Sequence, residues 1–322
     1  MTSWTYLVRK AAREFGRDEC TDIAAALTYY AVLALFPAAI ALLSLVGLVG
    51  QGHATVEALL GVLRQVGAGS AATTVEPTLT SVADQPSTAG VALVVGLATA
   101  LWSASGYVGA FGRAMNRMCE VREGRPVWKL RPLLLLVTAV ALVLAALVAL
   151  ALVVTGPAAE AVGDVFGLGS TAVMAWNVAK WPVLLLAVMT VVAILYYATP
   201  NVAQPTFRWL SAGATVAILA WVAASALFGI YVAMFSTYNR TYGTLAGVVV
   251  FLLWLWITNL ALLFGAELDT EIERTRELRA GLPAEESLQL PPRDTRTLAK
   301  ADAKQAEDIE HARRVRESAS VG

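Results

Sequence analysis

Six stretches without a charged side chain, at 23–50, 89–112, 133–159, 181–207, 209–239 and 241–266, constrain this chain more than any other feature. Each exceeds the roughly 18 to 20 residues a helix needs to cross hydrocarbon, and a spanning helix satisfies all its own backbone groups. The expected fold class is all-α: a polytopic membrane protein with six transmembrane helices at 23–50, 89–112, 133–155, 171–199, 211–235 and 244–266. With 57% hydrophobic and only 15% charged residues, the composition excludes an ordinary soluble protein of this length.

An even number of spans puts both termini on one side. Arg9, Lys10, Arg13 and Arg17 precede the first span; Arg113, Arg117, Arg122, Arg125, Lys129 and Arg131 separate the second and third; Arg208 separates the fourth and fifth. The other side carries only Arg64 and Arg240. The positive-inside rule therefore places both termini of this multi-pass protein in the cytoplasm. Cys20 and Cys119 fall on that reducing side, so no disulfide is expected.

Residues 1–22 read as an interfacial amphipathic helix. Trp4, Leu7, Val8, Ala11, Ala12 and Phe15 form an apolar face, and Arg9, Lys10, Arg13 and Arg17 a basic one. That helix can lie on the membrane or pack against a loop of the terminal side. In the first span Pro37 predicts a kink, because its ring clashes with the carbonyl of Leu33, and Tyr29 and Tyr30 are interfacial anchors or pocket hydroxyls. The connection 51–88 reads as a short surface helix followed by a flexible turn.

Gly106 lies on a small-residue face of the second span, and Gly243 and Gly247 have the G-x-x-x-G spacing that lets membrane helices approach closely. Asn177 and Lys180 lie in the fourth span. Lys180 is expected about 13 Å below the surface, with Glu160, Asp164 or a polar pocket as partner. Glu267 is the first acid after the last span; it either pairs with an arginine of the second-to-third connection or caps the helix exit in water. Residues 267–322 form a cytoplasmic charged tail, its start extending the last helix and the remainder mostly disordered.

Four ordered elements carry a family likeness: ALTYYAVLALFPA at 26–38, LWSASGYVGAFGRAMNR at 101–117, YYATP at 196–200, and 235–267 with its SxYNRxYG, GVVVFLLWLW and GAEL segments. Over residues 5–275 the chain resembles the YihY/BrkB family of bacterial inner-membrane proteins. The resemblance implies six transmembrane helices with cytoplasmic termini and links to serum resistance and envelope lipid handling. It also explains the historical label ribonuclease BN, regarded as mistaken. The chain departs from the commonest family pattern at Asn239 and Arg240.

Three functions follow for testing. A transporter of lipid or small anions would use Tyr29, Tyr30, Asn177, Lys180, Asn239, Arg240 and Tyr242 as a polar path, with Arg113, Asn116, Arg117 and Glu267 as headgroup contacts at the cytoplasmic face. A nuclease is disfavoured: the two histidines, His53 and His311, lie in a connection and the tail, and the spans hold no acid. A non-transporting structural or adaptor protein is the third. No cofactor, metal site, catalytic residue or nucleic-acid partner is expected. Membrane lipids are the expected partners, and the small-residue faces suit a homo-oligomer as well as packing within one chain.

Overall fold

Uncharged apolar runs give long helices here, with Pro132 and Pro182 accommodated inside two of them. The structure, a computed structural model, describes residues 4–48, 76–77, 80, 86–153, 170–203, 211–234 and 244–319. Its principal elements are α1 (Trp4–Arg17), α2 (Cys20–Leu48), α3 (Pro86–Met118), α4 (Val127–Val153), α5 (Ser170–Ala198), α6 (Ala212–Met234), α7 (Thr244–Arg279) and α8 (Leu298–Ala319). Five helices are long and apolar enough to cross a membrane, at Val94–Met118, Val127–Val148, Val173–Ala198, Ala212–Val232 and Gly247–Arg279; α2 adds the apolar segment Cys20–Leu35. The protein is an all-α polytopic membrane protein.

The buried core occupies the end of the bundle that carries both termini, called here the terminal face. Leu27 of α2, Phe111 of α3 and Leu263 of α7 are fully buried, and Leu134, Val192, Tyr196 and Ala214 complete the cluster. Elsewhere large apolar side chains point outward, among them Val94, Leu97, Leu147, Met174, Leu227 and Val248. In a bilayer these meet acyl chains, so an exposed apolar surface carries no aqueous penalty and helix association rests on close packing.

Helices α6 and α7 cross backbone to backbone at a pair of glycines. A Cβ on Gly213 would sit 2.0 Å from the Gly265 carbonyl oxygen, and one on Gly265 would sit 2.5 Å from the Gly213 carbonyl. Only glycine permits that approach. Gly106 seats the ring of Tyr30, whose Cδ1 would lie 3.2 Å from an added Cβ. Gly247, expected to support a close crossing, faces open space: among the described residues nothing lies within 4 Å of an added Cβ. Its spacing partner Gly243 lies outside the described residues. The small-residue motif alone did not say which helix face would find a neighbour, and the intimate contact formed at Gly265, about half a turn before Glu267 ends the apolar run.

The α1 helix packs on the terminal end of α7. Leu7 and Ala11 bury against Leu268, Val8, Val216 and Ile272, and Phe15 meets Phe264 edge-on at 5.9 Å. Trp4 and Tyr6 stay exposed, so the amphipathic helix divides its apolar residues between protein and surroundings. Position 37 lies inside the helical span of α2.

The expectation of a mostly disordered tail is corrected for residues 282–297. Helix α7 stops at Gly281, which takes φ +79°, and Leu282 N–H caps back to the Glu277 carbonyl at 3.0 Å. The chain then folds over the terminal face: Ala203 N–H donates to the Pro291 carbonyl, Arg293 N–H to Asn201, and Thr297 N–H to Gly124. This segment is polar because its partners are backbone groups and buried polar side chains, so its composition resembled that of a free tail. Helix α8 buries no residue.

Candidate functional site

Two sets of buried polar groups occupy this apolar bundle. The first lies within the spans. Tyr107 of α3 donates its hydroxyl to Asn259 Oδ1 at 2.8 Å, and Asn259 Nδ2 donates to Thr28 Oγ1 of α2 at 3.1 Å. Thr28 in turn donates to the Ala24 carbonyl at 2.8 Å. This chain of donors and acceptors ties α2, α3 and α7 together, and Asn259 is 2% exposed. In hydrocarbon an unsatisfied amide is costly, which is why each of these groups finds a partner.

Lys180 is the second polar feature at membrane depth. It lies ten residues from Ser170, about 15 Å along α5, and is 6% exposed. Its Nζ donates to Asn177 Oδ1 at 3.1 Å and sits 5.7 Å from the centroid of Trp181. No carboxylate among the described residues pairs with it. Glu160 and Asp164, the acids named as candidate partners, lie outside the described residues, as do Asn239, Arg240 and Tyr242. Tyr29 is 62% exposed and turned outward, whereas Tyr30 is half-buried against Gly106.

At the terminal face the four residues grouped as headgroup contacts separate. Arg113 is exposed. Arg117 bridges Glu19 at 3.1 Å and Asp18 at 3.7 Å. Asn116 is buried, donating to Glu123 Oε2 at 2.9 Å and accepting from Asn201 N–H at 2.7 Å. It is therefore a packing residue inside the protein, because the 282–297 segment and the α3–α4 loop close over it. Glu267 neither pairs with an arginine nor reaches water: it is 2% exposed, and its Oε2 has no hydrogen-bond partner. Helix α1 covers the exit expected to be open.

Asn116 belongs to a knot that sequence reading missed. Arg125 donates from Nε to Glu123 Oε1 and from Nη2 to Glu123 Oε2, each at 2.7 Å, and from Nη2 to the Thr199 carbonyl at 2.7 Å. Asn201, fully buried, donates to the carbonyls of Arg122 and Asp294 and accepts from Asp294 N–H. Burial alone would raise the Glu123 carboxyl, but the hydrogen bonds and charge of Arg125, with the Asn116 amide, hold it below its ordinary value. The YYATP element at 196–200 leads directly into Asn201, which was the available signal.

A second knot joins α7 to α1 and α3. Arg274 donates to Glu271 at 3.2 Å, to Glu120 at 2.8 Å and to the Ala284 carbonyl at 3.2 Å, while Lys10 pairs with Glu271 at 2.8 Å. Glu120 holds φ +56°, an uncommon conformation for a non-glycine residue, and its second carboxylate oxygen accepts the Leu288 N–H at 2.9 Å. Burial pushes Asp18 up despite Arg117, with Glu14 and Glu120 adding to the rise. Burial likewise pushes the Cys119 thiol up to about 12, leaving it unreactive at neutral pH. Beneath the tail a cavity of about 100 Å³ is lined by Tyr196, Asp269, Thr270, Arg276, Leu288 and Leu290.

With the bundle and its polar interior described, comparison with known proteins decides the lineage. The family described as Virulence factor BrkB matches residues 11–288. The chain belongs to the BrkB family. Among BrkB relatives, the "Putative ribonuclease-like protein YfkH" of Bacillus subtilis is 30% identical over 255 residues, which is 79% of this chain and 90% of that protein. A "UPF0761 membrane protein" of Pseudomonas aeruginosa is 29% identical over 83% of this chain and 63% of its own length. Another of that name from Azotobacter vinelandii is 43% identical over 86 residues, covering 27% of this chain and 21% of that protein. The chain thus spans less than two thirds of these UPF0761 relatives. No solved structure matches.

Proposed function

We propose that this BrkB-family bundle translocates a lipid or a small anionic molecule across the bacterial inner membrane, with both termini in the cytoplasm. The observation that carries the reading is Lys180, a cation 6% exposed within a span and held among the described residues by an amide and an indole. A buried ammonium with no carboxylate partner among the described residues is poorly compensated by them, and an incoming anion supplies charge of the opposite sign. Asn177 orients the ammonium and offers its own amide to a polar headgroup. Arg113 and Arg117 then act as surface collectors, Arg117 after leaving its acidic partners.

Reconstitution into proteoliposomes tests this reading. Flipping of a fluorescent anionic phospholipid, or uptake of a radiolabelled phosphate ester, is expected to fall at least tenfold in Lys180→Ala and to persist in Lys180→Arg. Equal rates for wild type and Lys180→Ala would remove the site. The adaptor reading rests on α8, a 22-residue helix with no buried residue. Normal translocation by a chain ending at residue 297 would separate the two roles.

A further inference from the structure

Glu267 sits where the terminal ends of α1, α2, α3 and α7 converge. The ionisable groups that act on it come from every one of these elements. Glu14 belongs to α1 and Asp18 to the turn after it, Cys20 opens α2, Cys119 follows α3, and Glu271 and Arg274 are the next turns of α7. Four carboxylates therefore share one region. The cations of that region are committed elsewhere: Arg117 to Asp18 and Glu19, Lys10 to Glu271, and Arg274 to Glu271 and Glu120.

Glu267 consequently receives no ion pair, is 2% exposed, and keeps Oε2 without a donor. Its neighbours offer little help. Thr270 Oγ1 donates to the Ala266 carbonyl at 3.0 Å. An ionised carboxylate almost wholly buried, beside three other carboxylates and with one oxygen lacking a donor, is strongly disfavoured. A bound proton removes the charge and turns the unpartnered oxygen into a hydroxyl.

We propose that Glu267 is a proton-binding site of this bundle, loaded in the conformation described and exchanging with water at the terminal face when α1 and its turn swing off α7. The contacts that close the site are Leu7 and Ala11 against Leu268 and Ile272, the Phe15–Phe264 contact, the Lys10–Glu271 pair, and the bridges from Arg117 to Asp18 and Glu19 in the turn. The site itself needs no translocated substrate; its use to drive translocation rests on the reading above.

Infrared spectroscopy of the full chain in zwitterionic-lipid nanodiscs reads the proton directly. At neutral pH the wild type is expected to show a protonated-carboxyl stretch that shifts on 13C-glutamate labelling and is lost in Glu267→Gln, with helicity unchanged by circular dichroism. In Glu267→Asp the band should persist but no longer respond to glutamate labelling, so the assignment survives a poorly folding amide variant. A folded wild type with no glutamate-derived band overturns the proposal. So does a band that appears only when choline replaces sodium and potassium, which would assign a metal cation to the site. Loss of the band in Glu267→Gln with flipping rates intact supports the proton site while separating it from translocation.

Discussion

Gly124 and Asp294 meet backbone to backbone: a Cβ added to Gly124 would lie 2.1 Å from the Asp294 carbonyl oxygen and 3.0 Å from its carbonyl carbon. The opposing atoms are main chain and cannot rotate aside, so the absence of a side chain at 124 lets the tail lie on the α3–α4 loop. Thr297 N–H donates to the Gly124 carbonyl at 3.2 Å, and Lys129 pairs with Asp294 at 2.9 Å across the same seam.

Gly124→Ala is therefore expected to lift residues 291–297 and destabilise the terminal face by about 1–3 kcal/mol, the cost of forcing volume into a tight contact. Limited proteolysis should cut the tail near Arg293 and Arg296 several-fold faster than in the wild type. An unchanged cleavage rate would show that the seam is not closed in the protein.

Asn201 makes the next contribution to that seam. Its side chain serves three backbone groups, the carbonyls of Arg122 and Asp294 and the N–H of Asp294. Asn201→Ala leaves buried groups unpaired, so a loss of about 1–3 kcal/mol is expected. Asn201→Asp cannot donate to two carbonyls and should be at least as damaging. Thermal unfolding in detergent, followed by intrinsic tryptophan fluorescence, measures both.

Acid should release the tail. Glu123 is held low by Arg125 and Asn116 against the opposing effect of burial. Asp294 is held low first by the Arg296 N–H and then by Lys129. A carboxyl whose folded value is depressed binds fewer protons folded than unfolded, so its stabilisation is present above the ordinary carboxylate range and disappears as pH falls through the folded value. Tail cleavage by an acid-tolerant protease should thus rise below about pH 4. Asp18 is raised by burial, against the pull of Arg117, and has the opposite sign: its burial favours the protonated form, so the α1–α2 turn should resist acid better than the tail.

The six apolar runs made the architecture legible, because hydrocarbon admits almost no other solution for such segments. Residues 4–17 likewise declared a helix through their two faces, and Lys180 declared itself as a charge in an uncharged run. What could not be read was pairing between distant polar residues. Asn201, Arg125 and Gly124 look like ordinary loop residues until the tail is laid across them, and the tail looks solvated until its backbone partners are known. Glu267 was visible as the first acid beyond the last span. Its isolation was not, since that depends on α1 covering α7 and on Lys10, Arg117 and Arg274 each choosing another carboxylate.

Asn259 supplies the last prediction, because it is the only described link among three helices inside the apolar region: it accepts from Tyr107 and donates to Thr28. Asn259→Leu keeps the branched shape but strands the Tyr107 hydroxyl, while Thr28 retains its bond to Ala24. Polar contacts between membrane helices average well below 2 kcal/mol, since the unfolded state in lipid also finds partners. A loss of about 1 kcal/mol is therefore expected, smaller than for Asn201, which is buried among backbone groups outside the apolar region. The double variant Asn259→Leu with Tyr107→Phe removes both partners and should recover part of that loss. If the double variant is instead less stable than the sum of its singles, the network reaches beyond these three side chains.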